Sequence, residues 1–166
     1  MAKRAAPLAS LALLLGCQSD PVIPKIAAAP IALTMIVSSQ TLQPGQADTI
    51  RLTTTNKTST TVRLRFPTQC AAMVTVRNAA GTLIATGSNV PCLPVSTNVT
   101  IAPSGTSTQT IVWNRGFAFS PPDTPSKVPA GIYFVVATLN AESVLIPQGD
   151  TGPYSTFAPA YRIEVK

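Results

Sequence analysis

The chain has 166 residues, with 12 Lys plus Arg against 6 Asp plus Glu and no histidine, giving a formal net charge of +6 and only 11% charged residues. Without histidine there is no Ser-His-Asp or Cys-His nucleophile, no imidazole base and no His-ligated metal, so the composition points away from an enzyme and predicts no cofactor. A hydrophobic fraction of 45% and a mean hydropathy of +0.28 suffice for one domain with a real core, and argue against disorder despite 16 prolines.

Lys3 and Arg4 precede an apolar run from Ala5 to Leu15, and Gly16-Cys17 follow it. A basic start before a short apolar run is the pattern of an export signal. As a helix the run rises about 16 Å, against a hydrocarbon core of roughly 30 Å, so it does not read as a permanent span. Leu14-Leu15-Gly16-Cys17 resembles a bacterial lipobox. That resemblance implies a leader over residues 1–16 and acylation of Cys17 as the first mature residue. An ordinary secretory signal and an uncleaved anchor are the alternatives. Acyl chains contribute about 0.8 kcal/mol per buried CH2, so a multiply acylated Cys17 holds the protein on a membrane. Gln18 in place of Asp after the cysteine implies, by the same resemblance, the outer membrane where an organism has two.

Removal of the leader leaves ten basic and six acidic side chains. The cations are spread singly from Lys25 to Lys166, with no dense run to track a phosphate backbone, so nucleic acid is not an expected partner. The acids Asp20, Asp48, Asp123, Glu142, Asp150 and Glu164 are equally scattered and form no evident catalytic pair. No phosphate loop or calcium loop is present.

Residues 17–31 carry Pro21, Pro24 and Pro30 around Ala27-Ala28-Ala29, and read as a tether because proline lacks the amide that helix and sheet require. From residue 32 to 166 the chain becomes short runs rich in Thr, Val and Ile, separated by Pro, Gly and Asn. β-Branched side chains lose rotamer freedom in helices and fit a pleated surface. The predicted strands are Leu33 to Ser38, Thr49 to Thr55, Thr61 to Phe66, Met73 to Asn78, Thr82 to Thr86, Asn98 to Ala102, Ser107 to Asn114, Ile132 to Leu139 and Tyr161 to Val165. In the third run Val62, Leu64 and Phe66 should face the core and Arg63 and Arg65 water. In the last, Tyr161, Ile163 and Val165 should point in. Turns are expected at Gln43 to Gln46, Asn78 to Gly81, Pro103 to Gly105 and Pro129 to Gly131. This spacing predicts an all-β fold, an immunoglobulin-like antiparallel β-sandwich.

With Cys17 assigned to lipid, Cys70 and Cys92 remain as an even pair in an exported chain, which predicts a disulfide, two buried free thiols being the alternative.

Several segments together resemble the intracellular proteinase inhibitor family, the BsuPI domain. They are Leu52 to Asn56, Val62-Arg63-Leu64-Arg65-Phe66, Val74-Thr75-Val76-Arg77-Asn78 with Gly81, Val112-Trp113, and Pro129-Ala130-Gly131-Ile132-Tyr133 leading into Val135 to Leu139. The resemblance covers Gly45 to Leu139 and implies an immunoglobulin-like sandwich and inhibition of a serine proteinase. The chain departs from the family in its export signal and in Thr82 to Ser88, where the family tends to carry aromatic residues.

An inhibitor needs a rigid loop that enters a proteinase cleft and resists hydrolysis. Gly87 to Thr97 is the candidate: Val90, Pro91, Leu93 and Pro94 surround Cys92, with Leu93 placed to fill a specificity pocket and Pro94 to block cleavage. A second long connection, Arg115 to Ala130, carries Phe117 and Phe119, which are either a contact site for a protein partner or rings folded back over the sandwich. Trp113, on the same side as Ile111, is expected in the core. The expected function is therefore binding: a lipid-anchored envelope protein acting as a proteinase inhibitor, or a structural or adhesive module that docks a protein partner.

Overall fold

The computed structural model describes residues 29–88, 90–116, 119, 127–147 and 149–166. The leader, Cys17, most of the tether and Phe117 lie outside the described residues. Ile31, assigned to the tether from its proline-rich surroundings, is the first residue of a strand and fully buried, so it belongs to the folded domain.

Runs of alternating apolar and polar residues form the strands β1 (Ile31–Val37), β2 (Thr41–Leu42), β3 (Asp48–Asn56), β4 (Val62–Phe66), β5 (Ala72–Asn78), β6 (Leu83–Gly87) and β7 (Thr97–Ile101). They continue as β8 (Thr106–Trp113), β9 (Gly131–Ala141), β10 (Ser143–Ile146), β11 (Gly149–Asp150), β12 (Tyr154–Phe157) and β13 (Tyr161–Val165). One sheet has the order β1-β3-β8, and the facing sheet has the order β2-β13-β9-β5-β6, with β12 also pairing β9. After β1 the chain crosses to the second sheet, where β2 joins β13 in parallel; every other pair is antiparallel. This is an all-β, immunoglobulin-like sandwich.

A third sheet, β11-β10-β4-β7, is built from the connections leaving β3, β6 and β9. In β4, Val62, Leu64 and Phe66 are fully buried and Arg63 and Arg65 are exposed, so the predicted register holds. The same alternation in β13 buries Ile163 and Val165 and leaves Tyr161 half-buried. Trp113 is fully buried beside Ile111, with its ring edge-on to Tyr133 at 5.8 Å. Each such large side chain contributes about 1.5–3 kcal/mol through burial.

Two polar side chains inside the sandwich fix the geometry of its ends. Asn56 closes β3: its Nδ2 donates to the carbonyls of Thr60, Ile101 and Ala102, and its Oδ1 accepts from the N–H and hydroxyl of Thr58. The third sheet is thereby tied to the first. At the opposite end Asp48 Oδ1 accepts from Ser38 N, Ser38 Oγ and Ser39 N at 2.6–3.2 Å, which pins the corner where the chain crosses between sheets.

Candidate functional site

The connection from β6 to β7 passes over the seam between the second and third sheets. Pro91 and Pro94 remove two amides from any strand ladder, and the chain folds instead into two successive tight turns, Leu93 N–H to Pro91 O at 2.9 Å and Val95 N–H to Leu93 O at 2.7 Å. Three further contacts hold this segment. Cys92 is bonded to Cys70, with Cα atoms 5.1 Å apart, so the predicted disulfide forms. The backbone N–H of Gln69 donates to the Leu93 carbonyl at 3.1 Å. Ser88 Oγ donates to Ala72 O at 3.0 Å and accepts from Gln109 Nε2 at 2.7 Å, fastening the start of the loop to β5 and β8.

The braced segment carries a knob of apolar side chains: Val90 is 39% exposed, Leu93 50% and Val95 52%, with Pro91 and Pro94 exposed between them. Exposed apolar groups on a backbone that cannot relax lose little entropy when a partner covers them. Beside the knob, on the outer face of β5 and β9, lies a hollow of about 200 Å³ lined by Pro67, Thr68, Cys70, Ala71, Met73, Thr138 and Asn140. None of these side chains is charged. Knob and hollow share the Cys70–Cys92 bridge and form one surface.

The Leu93 carbonyl faces the protein. It accepts from both Gln69 and Val95, so the backbone at Leu93-Pro94 is kinked and its carbonyl is occupied, unlike the extended strand that a proteinase cleft takes up. The sequence placed the loop and its brace but not this inward carbonyl, because the partner is 24 residues away at Gln69.

Phe119 is half-buried and packs against the core; a methyl group added at Gly87 would lie 2.6 Å from its Cβ. It therefore folds back over the second sheet, the alternative arrangement expected for these rings, and glycine at 87 makes room for it. Phe117 lies outside the described residues. Among the described residues the aromatic side chain that stands out most is Phe157 on β12, 73% exposed and opposite Thr138 in the register with β9, on the same outer face as the partly exposed Phe134 and Ile132. Sequence reading missed β12 and Val95. The signal for β12 was a four-residue run, Tyr154 to Phe157, bracketed by Gly152-Pro153 and Pro159. Among the described residues no three His, Cys, Asp or Glu side chains come together as a metal site.

No protein-family model matches the chain, and no curated protein matches it. Among solved structures it is similar to the C-terminal domain of wzt, with 9% identity, a TM-score of 0.45, and coverage of 84% of this chain and 75% of that one. It is similar to a CARDB domain from Pyrococcus furiosus in complex with di-metal ions, at 13% identity and a TM-score of 0.41, covering 82% of this chain and 87% of that one. A third likeness is to an alkylpurine DNA glycosylase, AlkC, of Pseudomonas fluorescens, at 10% identity and a TM-score of 0.41 over 83% of this chain, which spans 31% of the glycosylase chain.

Proposed function

We propose that this protein is an exported, lipid-anchored envelope protein, held through Cys17 on the outer membrane where there is one, that works by binding a protein partner through its disulfide-braced knob. The observation that carries this reading is the fixed display of Val90, Leu93 and Val95 on a backbone held by Cys70–Cys92 and by the Gln69–Leu93 hydrogen bond. The resemblance to the BsuPI family makes a serine proteinase the first partner class to test. With the Leu93 carbonyl turned inward, inhibition works by obstruction of the cleft and not by a substrate-like segment lying in it.

The experiment is a titration of the purified full chain, disulfide formed, against subtilisin-like and other serine proteinases, following residual activity and chain integrity. Stoichiometric inhibition by an uncleaved chain, lost in Leu93→Asp, supports an obstructing inhibitor. Cleavage between Leu93 and Pro94 during inhibition replaces obstruction with a substrate-like mode. Full residual activity at excess folded protein removes the inhibitor reading and leaves a non-inhibitory docking module. That second reading is favoured by the exposed outer face of β9 and β12, where Phe157 and Phe134 lie in reach of a partner.

A further inference from the structure

We infer that the outer face of the second sheet binds an acidic polysaccharide along one row of side chains, Arg162, Phe134 and Arg77. Alternation in β9 sends Tyr133, Val135 and Ala137 into the core and leaves Ile132, Phe134 and Val136 on the outer face. Phe134 stands opposite Arg162 of β13 on one side and opposite Arg77 of β5 on the other. Adjacent strands lie about 4.8 Å apart, so two arginine positions about 10 Å from one another flank a single ring. The ring is 38% exposed, both arginines are exposed, and neither ion pair found among the described residues involves them. An Nη of Arg77 donates to the Gly81 carbonyl at 2.8 Å, which steadies that side chain and uses only one of its five N–H groups. Glu164 shares this face, two residues from Arg162, and its carboxylate is hydrogen-bonded to Lys166.

A saturated sugar ring presents C–H groups on its face and hydroxyls at its rim, and a phenyl face covers the first by dispersion and burial. A guanidinium takes a carboxylate through paired, charge-assisted hydrogen bonds. Successive units of an extended acidic polysaccharide are spaced about as far apart as neighbouring strands. Three units laid across β13, β9 and β5 therefore bring the outer two carboxylates to Arg162 and Arg77, with the middle ring over Phe134. In the next row of this face, about 7 Å along the strands, Thr75 and Thr86 stand opposite one another and offer hydroxyls to the rim of the sugar. A purely apolar protein surface laid here would strip water from two guanidiniums and leave them unmatched, and a nucleic acid strand is tracked by more cations than two. The outer face of β1, β3 and β8 lacks this constellation: it carries Arg51 among threonines and no aromatic ring. The row is distinct from the knob and shares no residue with it.

Trigalacturonic acid is the probe, titrated into the purified full chain at fixed ionic strength, with backbone amide resonances as readout. The expected result is a saturable shift of the amides of Ile132 to Val136, Thr75 to Arg77 and Arg162 to Glu164, weakening as chloride is raised. Galacturonic acid, which cannot span both arginines, binds at least tenfold more weakly. Arg162→Gln weakens trimer binding about tenfold, the size of one charge-assisted hydrogen bond. Phe134→Leu keeps an apolar group but removes the flat ring face, and weakens it about fivefold. Arg51→Gln, on the opposite face, leaves it unchanged. Arg162 and Arg51 are both exposed strand residues, so these variants fold alike and the comparison stands on binding alone. Shifts that are absent, linear or centred elsewhere overturn the site. So do equal binding of a glutamate trimer, which has carboxylates and no sugar ring, equal binding of a neutral glucose trimer, and equal losses in Arg51→Gln and Arg162→Gln. The face then belongs to a protein partner, and none of these results bears on the knob or on Cys17.

Discussion

The backbone N–H of Gln69 donates to the carbonyl of Leu93 at 3.1 Å, and this turns inward the one carbonyl that a proteinase would need to reach. Val95 N–H takes the other lone pair, so an oxyanion hole can receive this oxygen only after two hydrogen bonds break. The Leu93–Pro94 bond is therefore expected to survive prolonged incubation with a serine proteinase at native conditions. Mass spectrometry of the recovered chain checks this, and accumulation of a fragment ending at Leu93 contradicts it.

Replacing Leu93 with Asp should separate binding from folding. The side chain is half exposed, so stability should change by no more than about 0.5 kcal/mol. If the knob is the contact, the same change costs about 2 kcal/mol or more of partner affinity, as a central apolar anchor does. Denaturation midpoints and a binding isotherm on the same preparation give the two numbers. Equal affinity for both proteins removes Leu93 from the interface.

The Cys70–Cys92 bridge spans 22 residues of sequence, and constraining that loop in the unfolded chain is worth about 3 kcal/mol in the chain-entropy account. A Cys70→Ser, Cys92→Ser double variant should lose about that much, measured as a shift in denaturant midpoint at unchanged slope. The third sheet and the Asn56 network do not depend on the bridge, so the sandwich should still fold. Unfolding of the double variant at room temperature would show that the bridge holds more than the loop.

Asn56 is fully buried, and each of its polar atoms is engaged. Substitution by Ala removes the side-chain donor from the carbonyls of Ile101 and Ala102 and the acceptor from the N–H of Thr58, each costing about 1–3 kcal/mol where no water reaches, while the Thr60 carbonyl keeps the Thr58 hydroxyl. We expect a loss of roughly 3 kcal/mol or more for Asn56→Ala, against less than about 0.5 kcal/mol for Lys57→Ala next to it on the surface. A smaller loss at Asn56 means that water enters where the side chain was.

Tyr133 donates its hydroxyl to the Pro129 carbonyl at 2.8 Å, and burial pushes its ionisation above the ordinary 10.0, with the nearby Arg115 charge pulling weakly the other way. The raised value favours the protonated, folded state. Its contribution is fully present below pH 10.0 and is lost as pH rises through the higher folded value. Stability measured against pH should therefore fall in the alkaline range with a component that Tyr133→Phe removes. That variant also loses the Pro129 bond, about 1 kcal/mol at neutral pH. Parallel alkaline slopes for both proteins would contradict the assignment.

The sequence by itself determined the sandwich. Strict alternation in Val62 to Phe66 and Tyr161 to Val165 leaves one register in which arginines stay wet, and local turn chemistry at Gly45 and Gly81, both with positive φ, separates the strands. It also pointed to the disulfide, since a pair of cysteines behind the pattern of an export signal has few other uses. Only the tertiary structure decided what these elements present. Ser143 to Ile146 reads as no strand because its short apolar run Val144-Leu145-Ile146 shows no alternation, and Thr41-Leu42 is too short to show a period, yet both complete sheets. The inward carbonyl of Leu93, the burial of Phe119 against Gly87 and the hold of the Arg115 guanidinium on Lys166 each depend on a residue far along the chain: Gln69, Gly87 and Lys166. Periodicity reports which side of a strand faces the core, a local property; which polar group meets which partner is set when distant segments close on one another.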